Sequence, residues 1–131
     1  LWIAEDSARL SARVRTLART HAPEAFGIAA ITLLEIARKA NDGEITLRPD
    51  PADWLEELAH RFEVLPVTPQ IAWRSVGLEW VHRDPADRLI VATALEHRRT
   101  LVTHDREICR WGGVPVLWWR SVRTHHVEED E

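Results

Sequence analysis

With 131 residues and 45% apolar content, the chain is long enough for one hydrophobic core; it holds no apolar run able to span a bilayer and nothing that resembles a signal peptide. Its single cysteine, Cys109, excludes an internal disulfide and a thiolate zinc site, and points to a reducing cytoplasm. The formal charge of −4 comes from the four acids at 128–131, without which 17 acids face 17 bases, so net charge neither predicts nor forbids a nucleic-acid partner.

Leu1-Trp2-Ile3 reads as the end of a strand that begins earlier, and the chain contains no methionine. Ser7 is a suitable cap for a helix to about residue 19, which Pro23 ends. The apolar run 26–31 predicts a buried strand, and Thr32-Leu33-Leu34-Glu35 a capping box that opens a helix to about residue 40. Asn41-Asp42-Gly43 stops that helix, and 44–50 is a loop. Asp50-Pro51 starts a helix to about 61, with Trp54, Leu55 and Leu58 inward. A strand is expected over 63–67, with Pro66 favouring an edge or an end.

Thr68-Pro69 caps a helix to about 76, closed by Gly77, and Asp84-Pro85 caps a longer one to about 97. Residues 100–103 predict a third strand and 105–110 a single helical turn. Gly112-Gly113 punctuates, 114–117 predicts a last strand, and the polar segment 121–131 reads as a loose tail. Strands alternating with helices predict an α/β fold with a parallel sheet covered on both faces. Residues 1–120 are expected to form one domain.

Three acids stand where chemistry is expected in such a fold. Asp87 opens a helix and Asp105 ends a strand, positions that share one edge of an open parallel sheet. Carboxylates gathered there repel unless a cation lies between them. Each acid also has a plain structural reading. Asp87 would be the N3 residue of its helix, stabilised by the dipole, although Ile90, Val91 and Ala94 on its face turn it partly inward. Asp84, before a proline, is an ordinary cap and the weakest of the candidate ligands.

Glu35 is either the capping-box acid or an ion-pair partner of Arg38 and Lys39. Asp105 is a turn former, a cap or a ligand. Thr32 and Thr103 are candidates to orient a carboxylate or a bound water by hydrogen bond. Arg83 and Arg88 flank Asp87 and suit phosphate, with exposed ion pairing as the alternative, which is slightly favoured for Arg88. His82, His97 and His104 lack ligand-like spacing and read as exposed. The seven tryptophans invite base stacking, but core and subunit interface are their commoner places.

Taken together, the segments Ala29-Ala30-Ile31-Thr32-Leu33-Leu34-Glu35, His82-Arg83-Asp84-Pro85-Ala86-Asp87-Arg88-Leu89-Ile90 and Thr100-Leu101-Val102-Thr103-His104-Asp105 resemble the PIN-domain nucleases, in particular the VapC toxins of bacterial toxin–antitoxin pairs. Val114-Pro115-Val116-Leu117 is similar to the closing strand of that family. The resemblance implies a three-layer α/β/α fold with a central parallel sheet of four to five strands, the first of them missing from the N-terminal end of this sequence. It implies four acids around one or two Mg²⁺ or Mn²⁺ ions. Glu35, Asp87 and Asp105 match three of them, and the fourth would sit on the missing strand.

The activity implied is metal-dependent hydrolysis of RNA phosphodiesters. The partners implied are an RNA substrate, a VapB-like antitoxin and a second copy of the chain, with no membrane. Two alternatives remain open at this point: a PIN-like binding module without catalysis, and a nuclease acting on DNA.

Overall fold

The computed structural model describes residues 26–103 and 105–117. The helix expected over 7–19, the strand end at 1–3 and the tail at 121–131 lie outside those residues. Main-chain packing divides the chain into two compact units, one spanning Pro23–His97 and one that takes in the described residues from Arg98 onward.

The first unit opens with strand β1 (Gly27–Ala29), which runs directly into helix α1 (Ala30–Asn41). The strand is shorter than expected, and the helix starts earlier, from Ala29 as an N-cap without a side-chain hydrogen bond. Alanine has the highest helix propensity, so Ala30 and the residues after it wind up before Thr32 is reached. Thr32 therefore lies within the first turn, and the expected capping box does not form. At the other end the amide of Asp42 donates to the carbonyl of Arg38 at 2.9 Å, and Gly43 takes a φ of +81° that glycine alone adopts cheaply.

Helix α2 (Pro51–Arg61) begins where its proline predicts. The Asp50 carboxylate accepts from the Ala52 amide at 2.9 Å, and Pro51 sits at a position whose N–H would have no helical partner. Ile36 of α1, Leu47 of the loop and Leu58 of α2 form a buried cluster, with Ile28, Leu33, Trp54 and Phe62 packed around it. Each such side chain contributes about 1.5–3 kcal/mol by leaving water. Strand β2 (Glu63–Leu65) pairs parallel with β1, in the register Gly27 to Glu63, Ile28 to Val64 and Ala29 to Leu65. It stops before Pro66, which has no N–H for a ladder.

Helices α3 (Pro69–Gly77) and α4 (Pro85–Glu96) pack against each other, and α4 also meets α1 and β1. Thr68 caps α3 by accepting from the Ile71 amide at 3.1 Å. Ile71 and Ser75 are the buried positions of α3, four apart on one face. Helix α4 buries Ala86 and then Val91, Ala92, Thr93 and Ala94 in succession, so the turn from Val91 to Ala94 is enclosed on all sides. The Thr93 hydroxyl is satisfied by the Leu89 carbonyl at 2.7 Å.

In the second unit, strand β3 (Leu101–Val102) precedes helix α5 (Arg106–Trp111) and strand β4 (Val116–Leu117). The two strands pair parallel, Leu101 with Val116 and Val102 with Leu117. Gly112 ends α5 in the left-handed conformation, φ +73°. The fold is thus mixed α/β with parallel strands. Among the described residues the strands form two parallel pairs, β1–β2 and β3–β4. No helix among them is long and apolar enough to cross a membrane.

Candidate functional site

The start of α4 carries the most developed polar arrangement in the first unit. Asp84 is the N-cap: one carboxylate oxygen accepts from the amides of Ala86 at 2.9 Å and Asp87 at 3.1 Å. This is the structural role expected of an aspartate before an N1 proline. Asp84→Ala should cost about 1 kcal/mol of stability, read by denaturant unfolding. Asp84→Asn should leave stability unchanged, because asparagine caps equally well. An equal loss in Asp84→Asn would show that the carboxylate charge, and not the cap, stabilises this end of the helix.

Asp87 occupies the third position of the helix, and its side chain is half-buried at 23% exposure. One of its oxygens lies 2.7 Å from Nε2 of His82. His82 is therefore not the exposed histidine that its spacing suggests. Its ring is half-buried, held on Asp87, and tilted against the ring of Trp80 with centroids 4.9 Å apart. The pair sits five residues apart across a helix cap, a separation that no helical or strand periodicity flags.

Arg88 departs furthest from expectation. It makes neither the exposed ion pair nor a side chain reserved for phosphate. Nε donates to the Ser75 carbonyl at 2.8 Å. Nη1 donates to Trp80 at 2.9 Å and His82 at 2.8 Å. Nη2 donates to Leu78 at 2.7 Å and Val76 at 3.4 Å. A guanidinium has five N–H groups, and each is directed at a main-chain oxygen. Two of the five acceptors belong to the last turn of α3, where helix carbonyls lack partners and a positive charge is favoured. Arg83, the other arginine that flanks Asp87, is exposed.

Glu35 lies on α1, half-buried at 27% exposure, with Arg38 at 3.6 Å, too far for a hydrogen bond. A pair this loose and open to solvent on the Arg38 side contributes about 0–1 kcal/mol. In the second unit Asp105 caps α5, accepting from the Ile108 amide at 3.1 Å. Its own amide donates to the Thr103 hydroxyl oxygen at 3.1 Å, so Thr103 fixes the main chain on which Asp105 stands. Burial, and then the Asp105 carboxylate, push the Cys109 thiol above its ordinary range, which keeps it protonated at neutral pH. Among the described residues no group of three or more His, Cys, Asp or Glu is gathered closely enough to hold a metal. His104 lies outside them.

These elements match known proteins. The PIN domain family matches residues 1–114, and the chain belongs to that family. Within it, the chain is 39% identical over 108 residues to Ribonuclease VapC22 of Mycobacterium tuberculosis, covering 82% of each. Among solved structures it is similar to a toxin–antitoxin complex from Klebsiella pneumoniae, with 24% identity, 88% and 90% of the two chains covered and a TM-score of 0.61. It is also similar to VapBC-1 from nontypeable Haemophilus influenzae, with 20% identity, 90% of each chain covered and a TM-score of 0.62. DNA-bound VapBC from Salmonella typhimurium matches at 27% identity over 71% of this chain and 74% of that one, with a TM-score of 0.56.

Proposed function

We propose that this chain hydrolyses RNA phosphodiester bonds with the help of a divalent cation. It is a VapC-type PIN ribonuclease toxin of a toxin–antitoxin system, as its identity to Ribonuclease VapC22 indicates. The observation that carries the chemical reading is the Asp87 carboxylate, half-buried at a helix N-terminus and oriented by His82.

Glu35, Asp87 and Asp105 are the residues that would hold the ion. They do not form a ready cluster of three among the described residues. Their hard oxygen donors nevertheless suit Mg²⁺ or Mn²⁺, which keep bound waters. When bound, such an ion supplies a Lewis acid and a water of lowered pKa. The chain's own residues do the rest. His82 fixes the rotamer of Asp87, Thr103 fixes the main chain of Asp105, and the exposed Arg83, four residues before Asp87, would bind a phosphate. Thr32, three residues before Glu35 on α1, would orient that acid or a bound water.

The same reading includes the three-layer α/β/α architecture, which the parallel pairs and their flanking helices support. It includes an antitoxin as partner, supported by the toxin–antitoxin complexes among the structural neighbours. It includes a homodimer, supported by Trp73 and Val76 of α3, 80% and 68% exposed on the surface. The lone cysteine supports a cytoplasmic setting.

The test is cleavage of an RNA panel, and of DNA of the same sequences at matched salt, with Mn²⁺ and with EDTA. RNA cleavage that EDTA abolishes and Mn²⁺ restores is the expected result. Activity persisting in EDTA would overturn the metal role, and equal cleavage of DNA would overturn the substrate class. Tight Mn²⁺ binding without any cleavage would leave a binding module.

A further inference from the structure

We propose that Arg88 is a positioning residue for the Asp87 carboxylate, acting through the main chain of residues 75–82 and the ring of His82. The inference rests on the ribonuclease reading for its catalytic consequence, and on geometry alone for its structural one.

Residues 78–84 connect α3 to α4 without helix or strand. A connection of this kind has no ladder to set its path, yet it carries His82 to within 2.7 Å of Asp87. What sets the path is the guanidinium. It takes the carbonyls of Ser75 and Val76 as α3 ends, then those of Leu78, Trp80 and His82 along the connection. The acceptors alternate along the segment, so the chain curls around one planar group.

His82 closes the circuit. Its carbonyl accepts from Arg88 at 2.8 Å while its ring meets Asp87, the residue before Arg88. Trp80, whose carbonyl is also held, lays its ring against that of His82. Adjacent residues on a helix project about 100° apart. Asp87 and Arg88 can therefore address the ring and the main chain of the same residue from one rigid turn. Lysine cannot replace this arrangement: it offers three donors from a single point, without the planar fork. With every donor directed at a carbonyl, Arg88 is not a phosphate ligand.

The experiment compares the full chain with Arg88→Lys, His82→Ala and the double variant. The readouts are amide exchange across 78–84, the ring ¹⁵N shift of His82, and kcat and KM for RNA. Arg88→Lys keeps the charge. It is expected to lose exchange protection in 78–84, to shift the His82 ring resonance, and to lower kcat about tenfold or more with KM within about twofold. His82→Ala should lower kcat to a similar degree with protection retained, and the double variant should be no worse than the poorer single one.

A raised KM at unchanged kcat would make Arg88 a substrate contact and overturn the proposal. So would additive losses, or an unmoved His82 resonance. If Arg88→Lys does not fold, Arg88→Gln keeps a planar group with two donors and carries the same readouts. If the unaltered chain cleaves no RNA, the ribonuclease reading fails by itself. The exchange and ring-resonance measurements then still decide whether Arg88 holds His82 on Asp87.

Discussion

Asp87→Asn is expected to reduce RNA cleavage by about 10²-fold or more while the protein stays folded. Asparagine has the shape of aspartate and still offers an oxygen to the His82 ring, so the local packing survives. What disappears is the negative charge that a divalent cation requires. The structural share of that charge is small. An acid in the first turn of a helix contributes about 0.3–1 kcal/mol through the dipole, which corresponds to a few degrees in Tm. Single-turnover cleavage with Mn²⁺, alongside a thermal melt, separates the two effects. Full activity in Asp87→Asn would remove Asp87 from the chemistry and leave it a helix-capping acid.

Ile71→Ala should be the most damaging of the conservative core changes, costing about 2–5 kcal/mol. Ile71 is completely buried, on the face of α3 that meets α4. Ser75 is buried one turn further along α3, and α4 is buried from Val91 to Ala94, so the surroundings have little room to collapse into the space. The expected fall in Tm is on the order of 10 °C. Val81, in the connection after α3 and 91% exposed, serves as the control. Val81→Ala should stay within about 0.5 kcal/mol. Equal losses in the two variants, measured by denaturant unfolding, would show that the α3–α4 interface is not where the stability lies. Ile71 also matters to the site, because α3 delivers the Ser75 and Val76 carbonyls to Arg88.

The sequence was most legible where one side chain and one proline settle a helix start between them. Asp50-Pro51, Thr68-Pro69 and Asp84-Pro85 each begin a helix at the expected residue, because the cap and the fixed φ are local chemistry. The stop at Asn41-Asp42-Gly43 and the break at Gly112-Gly113 were legible from glycine, which takes the positive φ seen at Gly43 and Gly112 without a Cβ penalty. The letters are ambiguous where two local preferences compete. The run 26–31 is apolar enough for a strand, yet its alanines favour a helix, and the change-over falls at Ala29-Ala30.

Long-range polar contacts were not legible. The acceptors of Arg88 are main-chain carbonyls as much as thirteen residues away, and a carbonyl leaves no trace in the amino-acid letters. The half-buried place of His82 is not legible in the letters, because its partner lies beyond a helix cap. Glu35, Asp87 and Asp105 stand out as candidates by residue type and resemblance. Whether acids converge on one ion is not written in the letters, since convergence is a property of the assembled fold.

Along α4, Val91, Ala92, Thr93 and Ala94 leave no side of the helix turned to water. A rod gripped all the way round can neither roll nor slip lengthwise without forcing several neighbours at once. The carboxylate one turn ahead of that grip is then mounted on a fixed axle. The Asp87 end of this helix is therefore expected to keep its place whether or not a substrate is bound.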